Sequence, residues 1–217
     1  MGFVVAVTSR STGSFAVDVA GVEERRSAVA GGLPVAWLRQ VHGDAVTAIG
    51  PSDPIAGLQC DATTTDRAGL ALSVITADCA PIALWTDAGA LGVVHAGWRG
   101  LVAGVIERTV AALRQDRPDA PMHALLGPQI HPCCYEFGPI ELERVAQAYG
   151  DRVRATTHAG HSALDLPMAV SVALEHCGVT THACPALDVC TACDGRYYSW
   201  RANRDVGRQA MLIWRQP

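Results

Sequence analysis

Residues 69–100 read GLALSVITADCAPIALWTDAGALGVVHAGWRG, and the apolar runs within this stretch predict a set of buried β-strands. Cys79 lies just after the first run, and His95 directly follows the last. Pro81 is expected to break the chain after the first strand. The predicted strands are residues 69–76, 82–85 and 90–94. The stretch therefore predicts a sheet that carries a thiol and an imidazole at its strand ends.

The clearest helical pattern follows this stretch. Apolar residues and one threonine recur at helical spacing: Leu101, Val102, Val105, Ile106, Thr109, Val110 and Leu113. They predict a helix over about 100–114. Further helices are predicted over 141–149 and 166–177; Asp165 and Pro167 are start signals for the latter and Gly178 is its stop. Further strands are predicted over 4–8, 35–41, 45–49, 122–126, 182–186 and 209–214.

Strands and helices alternate without a regular βαβ rhythm, which favours an α+β domain with mixed β-sheets flanked by helices. The chain has 217 residues, of which 49% are hydrophobic, enough for a sizeable core. Because no Pro/Ser-rich linker or charge run divides it, we expect a single catalytic domain over residues 1–217.

Composition narrows the range of partners. A formal net charge of −4 with dispersed arginines argues against a nucleic-acid or anionic-membrane surface. No apolar run approaches the roughly 18 residues of a transmembrane helix, and no leader is evident at the N-terminus. We therefore expect a cytoplasmic protein with a small-molecule substrate; the sequence leaves its oligomeric state open. The eight cysteines are expected to be thiols or metal ligands rather than disulfides.

Three separated residues offer metal-ligating side chains: His42 in Gln-Val-His-Gly, Cys79 in Thr-Ala-Asp-Cys, and His95 in Val-Val-His-Ala-Gly. Two imidazoles and one thiolate leave a tetrahedral zinc with one open position, as in catalytic sites. The same donors admit copper. Spacing alone leaves the alternatives open, because a lone histidine is often a surface residue and a cysteine beside a strand is often core.

Two neighbouring side chains are candidates for catalysis. Asp78 immediately precedes Cys79 and is either an acceptor for an imidazole N–H, a proton shuttle, or a turn-stabilising residue. Arg99 leads into the predicted helix, where an anion such as phosphate would meet backbone N–H groups and a favourable dipole. A surface arginine paired with a carboxylate is the alternative reading.

Four other cysteines occur in two close pairs. Cys133 and Cys134 are adjacent, and Cys134 is interpreted with Tyr135 as a pocket wall, with plain packing as the alternative. Cys190 and Cys193 have the spacing of a structural zinc knuckle or a redox pair. A closed zinc site would need two more ligands, for which Cys184 and His182 are candidates; a buried loop is the other interpretation.

Taken together, these motifs resemble one family. The segments that carry the resemblance are Gln-Val-His-Gly (40–43), Thr-Ala-Asp-Cys (76–79), His-Ala-Gly-Trp-Arg-Gly (95–100), Gly-Pro-Gln-Ile-His-Pro-Cys-Cys-Tyr-Glu (127–136), Cys-Thr-Ala-Cys-Asp (190–194), Tyr-Tyr-Ser-Trp-Arg (197–201) and Gly-Arg-Gln (207–209). In this order they are similar to the signature of the laccase-domain, or multicopper polyphenol oxidoreductase, family.

The resemblance implies a zinc-dependent purine nucleoside phosphorylase with adenosine deaminase activity. It implies that His42, Cys79 and His95 hold the zinc and that the substrates are a purine nucleoside and phosphate. It also implies substrate contacts by Cys134, Tyr135 and Arg208. The N-terminal quarter departs from the family, since residues 10–14 retain only a trace of an Arg-x-Gly-Gly-Val-Ser element and a Ser-Leu-Asn-Leu-Gly element is absent. A different specificity therefore stays open.

Other functions compete with this one. Copper-dependent phenol oxidation is poorly supported, because the eight histidines contain no His-x-His pair. Hydrolysis of an amide, such as a cell-wall precursor, would use the same zinc or, without metal, Cys79 as nucleophile and His95 as base. A non-catalytic metal-binding protein with a decayed site is the non-enzyme alternative.

Overall fold

Two mixed β-sheets stack on each other in the computed structural model, which describes residues 2–216. The strands are β1 (Phe3–Val7), β2 (Val35–Leu38), β3 (Val46–Ala48), β4 (Ala56–Leu58), β5 (Ala62–Thr65), β6 (Ala71–Thr76), β7 (Ala80–Thr86), β8 (Leu91–Ala96), β9 (Met122–Leu126), β10 (Arg154–Thr156), β11 (Ser162–Leu164), β12 (Thr180–His182) and β13 (Gln209–Arg215). The helices are α1 (Val22–Val29), α2 (Trp98–Ala103), α3 (Val105–Arg114), α4 (Pro139–Tyr149), α5 (Leu166–His176) and α6 (Trp200–Asn203).

Both large sheets combine parallel and antiparallel pairs. The five-stranded sheet has the order β1-β13-β6-β2-β4, in which β2 is parallel to β6 and to β4. The six-stranded sheet has the order β12-β9-β7-β8-β5-β3, with parallel pairs at both edges. A separate hairpin pairs β10 with β11. These sheets and the flanking helices confirm the predicted α+β class.

Alternation along the strands divides the apolar side chains between two cores. In β7, Ala83 and Trp85 face the other sheet, whereas Ile82 and Leu84 face the helices. This is the period-two pattern of a strand with both faces covered. Each large side chain buried in this way stabilises the fold by about 1.5–3 kcal/mol.

The helices form the outer layers of a four-layer domain. On one side, α2 to α5 pack on the six-stranded sheet through residues such as Leu101, Ile106 and Val170. On the other side, the segment that contains α1 contributes Val29 and Ala30 to a smaller core with Leu212 and Trp214 of β13. None of the helices within residues 2–216 is both long and apolar enough to span a membrane.

The prediction of one continuous helix over 100–114 is wrong, because the segment forms the two helices α2 and α3. Gly104 ends α2 and begins α3 with φ 91°, a left-handed conformation that a continuous helix excludes. The apolar periodicity runs through the break, and so the sequence pattern does not reveal it. The helix begun by Asp165 is confirmed: its carboxylate accepts the Met168 N–H at 2.9 Å, and Gly178, with φ 64°, follows its end.

Pro81 does not break the chain, as the sequence led us to expect, but lies second in β7 opposite His95. The missing proline N–H is tolerated here, and the Pro81 carbonyl accepts the Gly127 N–H at 2.9 Å. His95 accordingly lies within β8 rather than after it. The strand predicted over 182–186 was also misplaced, since β12 ends at His182.

The sequence patterns did not predict several elements, because these elements are short or polar. The strand β5 consists of alanine and threonines although it is buried, and α1 is dominated by charged residues. The other unpredicted elements are β4, β10, β11 and α6.

Candidate metal centre and substrate pocket

The structure brings His42, Cys79 and His95 together. One ligand atom from each lies within 4.8 Å of the others. The two imidazole rings are 4.8 Å apart between centroids and nearly perpendicular, at 87°. His42 is exposed, Cys79 is partly buried, and His95 is only 3% exposed. One buried imidazole, one exposed imidazole and a thiol between them suit a metal ion that substrate can reach from solvent.

Strand order explains why these residues meet. Because β2 and β6 are parallel neighbours, the loops that carry His42 and Cys79 leave the sheet at the same edge. The Gln40 amide fastens them together, since it donates to the Ile75 carbonyl at 2.7 Å and accepts the Ile75 N–H at 2.8 Å. Pairing of Ala80 with Ala96 then brings the start of β7 beside the end of β8.

Two glycines leave room for the centre. A Cβ on Gly97 would lie 3.1 Å from the Cys79 Sγ and 3.2 Å from the His42 Cδ2. A Cβ on Gly100 would lie 2.6 Å from the Gly43 carbonyl oxygen, a distance at which the backbone would have to move. The glycines of the two histidine motifs therefore allow these segments to approach each other.

Asp61 is the main residue that the sequence interpretation missed. It is fully buried, and its Oδ1 lies 2.8 Å from the His95 Nδ1. The carboxylate also accepts the backbone N–H groups of Val41, His42 and Gly43 at 3.1, 2.9 and 2.8 Å. The sequence feature that could have indicated Asp61 is its position directly before β5, a strand of alanine and threonines. Because Asp61 accepts from Nδ1, the His95 Nε2 is left to face the centre.

The Asp61 contacts also explain the backbone of His42. His42 has φ 60°, in the left-handed region that costs a non-glycine residue about 1–3 kcal/mol when the surroundings impose it. Three consecutive N–H groups directed at one carboxylate supply that constraint. The exposed His42 imidazole is therefore presented by a fixed loop.

Charges at the centre stabilise a thiolate. Burial opposes ionisation of Cys79, but the His95 and His42 imidazoles outweigh burial and lower the pKa of Cys79 to about 6. Burial likewise opposes the charged form of His95, but the Cys79 thiolate and Asp61 raise the pKa of His95 to about 9. Cys79 is thus ionised at neutral pH, the form in which a cysteine binds a metal or attacks a substrate.

The Asp78 carboxylate hydrogen-bonds to the C-terminal loop. Its Oδ1 accepts the Thr191 hydroxyl at 2.7 Å and its Oδ2 accepts the Arg201 N–H at 2.6 Å. It has φ 100°. These contacts connect the Cys79 turn to the C-terminal loop, and the acceptor on His95 is Asp61 instead.

A cavity of about 640 Å³ is lined by His42, Cys79 and His95. Arginine and aromatic side chains make up much of its lining. They are Arg39, Arg99, Arg201, Arg208, Trp98, Tyr135 and Trp200. A tyrosine hydroxyl is protonated at neutral pH, and burial raises the pKa of Tyr135 further, so this hydroxyl can donate a hydrogen bond. A second cavity, of about 590 Å³, shares no lining residue with this one.

Four of the residues singled out from the sequence line this cavity, whereas Cys134 does not; the four are Asp78, Arg99, Tyr135 and Arg208. The Cys134 Sγ lies 3.3 Å from the Cys193 Sγ. Arg99 is the second residue of α2, which has only six residues, so the positive charge at the cavity is assigned to the arginine side chains. Arg201, which ends the Tyr-Tyr-Ser-Trp-Arg motif, also lines this cavity, although its sequence context predicted no role for it.

Cys190 and Cys193 are not joined by the partners considered from the sequence. The His182 Nε2 instead lies 3.1 Å from the His123 Nδ1. The thiols grouped with Cys190 and Cys193 are Cys133 and Cys134. All eight cysteines are free, in agreement with the sequence-based expectation.

Comparison with known proteins gives the family. The family model described as multi-copper polyphenol oxidoreductase laccase matches residues 12–216, and the chain belongs to this family. A Xylella fastidiosa protein named purine nucleoside phosphorylase is 38% identical over 197 residues, which cover 84% of this chain and 74% of that protein. Escherichia coli purine nucleoside phosphorylase YfiH is 34% identical over 201 residues, which cover 89% of this chain and 80% of the relative.

Solved structures share the fold over the whole length. Geobacillus stearothermophilus YlmD superimposes with a TM-score of 0.86 at 25% identity and covers 100% of this chain and 93% of its own. Neisseria meningitidis protein NMB0706 gives 0.80 at 28% identity, with 100% and 91% covered.

Proposed function

We propose that the chain is a zinc-dependent purine nucleoside phosphorylase that also deaminates adenosine. The observation that carries the proposal is the convergence of His42, Cys79 and His95 beneath a cavity lined by arginines and aromatic rings. The names of the relatives support the same substrate class.

The residues fit a resident zinc ion. His42, Cys79 and His95 supply the two nitrogens and one sulfur of an open catalytic site, and Gly97 leaves clearance around the Cys79 and His42 donors. Asp61 holds the His95 ring in the tautomer that ligation requires. When bound, zinc supplies a Lewis acid with an exchangeable coordination position.

The arginines are suited to the phosphate co-substrate. Arg201 donates to the Glu136 carbonyl at 2.9 Å and lies over the Tyr135 ring at 5.0 Å, so its guanidinium is held in place. Arg208 donates to the carbonyls of Asp205 and Gly207 at 2.8 and 2.7 Å. A guanidinium group can bind phosphate through two parallel hydrogen bonds, which gives geometric specificity. When its side chain is already fixed by other contacts, less conformational freedom is lost on binding.

The aromatic side chains are suited to the purine. Trp200 is 47% exposed although it borders the cavity, and so its ring is available for stacking on a flat heterocycle. The Tyr135 hydroxyl, which lines the cavity, donates a hydrogen bond to the substrate in this proposal. A hydrophobic base and an anion are thus bound by different parts of one cavity.

The test measures product and metal together. Protein of known zinc content is incubated with phosphate and either inosine or adenosine, and hypoxanthine, adenine and ribose 1-phosphate are quantified by chromatography. Ammonia released from adenosine reports deamination. Cys79→Ser is expected to lose both activities and the metal of this centre, whereas Cys184→Ser, which alters a partly buried thiol outside it, retains both.

A zinc-loaded wild-type protein that forms no product contradicts the proposal. Retained turnover in metal-free protein would instead favour a Cys79 nucleophile. That alternative has a structural basis, because Cys79, His95 and Asp61 form a series of nucleophile, base and orienting carboxylate.

A further inference from the structure

A second group of thiols lies outside the centre described above, where two loops meet. Cys133 and Cys134 belong to the single turn Pro132–Cys134, and Cys190 and Cys193 come from the loop before α6. The four sulfur atoms all lie within 4.8 Å of one another. Residues about 60 positions apart thus supply four soft donors to one point.

The sulfur spacing fits a tetrahedral ion. Zinc–thiolate bonds of about 2.3 Å place the sulfurs of a tetrahedral site about 3.8 Å apart. The Cys193 Sγ lies 3.3 Å from the Cys134 Sγ and 3.7 Å from the Cys133 Sγ. These are non-bonded separations, well beyond the roughly 2.0 Å of a disulfide.

Backbone contacts hold the donors in position. The His131 N–H donates to the Cys190 Sγ at 3.3 Å. The Cys190–Cys193 turn is closed by the N–H groups of Cys193 and Asp194, which donate to the Cys190 carbonyl at 3.1 and 2.9 Å. A parallel bridge between Gln129 and Cys190 joins the two loops. The donors are therefore arranged by the fold, as in a Cys-x-x-Cys knuckle.

We propose that Cys133, Cys134, Cys190 and Cys193 bind a second zinc ion as a closed, structural four-thiolate site. Each thiol releases its proton to solvent as its sulfur–zinc bond forms. The proposal does not depend on the nucleoside activity.

The site would fix one wall of the first cavity. Tyr135, which follows Cys134, lines that cavity, and Thr191, which follows Cys190, donates to Asp78 beside the ligand Cys79. A cation shared by the two loops would hold both residues in register. The two centres would then be coupled through Asp78 and Tyr135 although they share no ligand.

Metal counting tests the proposal on the whole chain. Protein produced with zinc and purified without chelator is analysed for metal per chain, and two zinc ions are expected for the wild type. Cys193→Ser and Cys79→Ser are each expected to lose one, from different centres. Cys184→Ser is the matched thiol control and keeps both.

Cobalt spectroscopy identifies the donors without relying on any variant. Metal-free wild type is titrated with Co²⁺, and the thiolate-to-cobalt charge-transfer absorption is followed. Four thiolates at one ion give a far stronger band than the single thiolate of the first centre. Two titration phases of unequal intensity are expected.

Other outcomes overturn the assignment. One zinc per chain in the wild type, unchanged in Cys193→Ser, leaves no second site. A wild-type mass that is two hydrogen atoms below that of the reduced chain identifies a disulfide instead, if this mass difference is absent from Cys193→Ser. Iron with acid-labile sulfide identifies a cluster rather than zinc. None of these results bears on nucleoside phosphorolysis, so the two proposals fail separately.

Discussion

Asp61 joins the two histidine motifs through one buried carboxylate. It accepts hydrogen bonds from the His95 imidazole and from three backbone N–H groups of the His42 loop. Although burial opposes its ionisation, these hydrogen bonds, with that of His95 foremost, hold the pKa of Asp61 below its ordinary value. Its negative charge is therefore part of the folded centre.

Asp61→Asn is expected to weaken zinc binding at the first centre by about 10–100-fold, the usual effect of losing a carboxylate behind a ligating histidine. The amide presents an NH₂ group where the carboxylate accepted N–H donors. Competition with a chromophoric chelator measures the affinity. Asp53→Asn, at an exposed carboxylate that accepts only the Gly50 N–H among the described contacts, is the control and should bind zinc normally. Equal affinities in the two variants would contradict the role of Asp61.

Arg201 is a second residue whose role can be tested. Arg201→Gln is expected to raise the KM for phosphate by about 10–100-fold, since a hydrogen bond to a charged group contributes roughly 1.5–3 kcal/mol. Its backbone N–H still donates to Asp78, so the fold is retained. Steady-state kinetics with varied phosphate measure the change. Arg152→Gln, at an exposed arginine outside the cavity, is the control, and an unchanged KM in Arg201→Gln would contradict phosphate binding there.

At the scale of elements, the break between α2 and α3 serves the centre. The break leaves the Leu101 carbonyl to accept the Tyr149 hydroxyl at 2.5 Å, which attaches α2 to α4. It lets α2 bring Gly100 against Gly43 while α3 packs on the sheet. The kink follows from Gly104 in a left-handed conformation.

Gly104→Ala is expected to lower the free energy of unfolding by about 1–2 kcal/mol, because an L side chain disfavours the left-handed region. The nearest atom to the new Cβ is the Glu107 Oε2 at 3.7 Å, so backbone conformation rather than collision sets the cost. Chemical denaturation measures it. Gly195→Ala, which meets nothing within 4 Å, is the control. A more stable Gly104→Ala protein would mean that a continuous helix is compatible with the fold.

Over the whole molecule, the six-stranded sheet separates two large cores. Leu84 is fully buried against the helices, and its neighbour Trp85 faces the other sheet. A truncation in either core should therefore lower global stability without altering the contacts of His42, Cys79 and His95.

Leu84→Ala is expected to cost about 2–5 kcal/mol of unfolding free energy, from lost burial and the cavity that remains. Its zinc content should equal that of the wild type. Val206→Ala, at a side chain that is 80% exposed, should change stability by less than about 0.5 kcal/mol. Denaturation curves and elemental analysis on the same samples provide both measurements. A Leu84→Ala protein that folds with normal stability would contradict the packing.

Local patterns predicted much of this architecture. Apolar runs located most strands of the stacked sheets, and helical start and stop signals located α5. Motif order indicated the family and the three candidate metal ligands. These signals lie within short segments, because hydrophobic period and capping depend on near neighbours in the chain.

Tertiary folding determined the rest. Asp61 meets His95 from 34 positions away, and Cys134 meets Cys193 from 59. Arg201 and Arg208 reach the first cavity because β13 lies beside β6. Such contacts depend on strand order and on loops that leave the same sheet edge. A buried carboxylate is recognisable only once the fold has removed it from water, and a thiol cluster only once the fold has set its sulfur atoms beside one another.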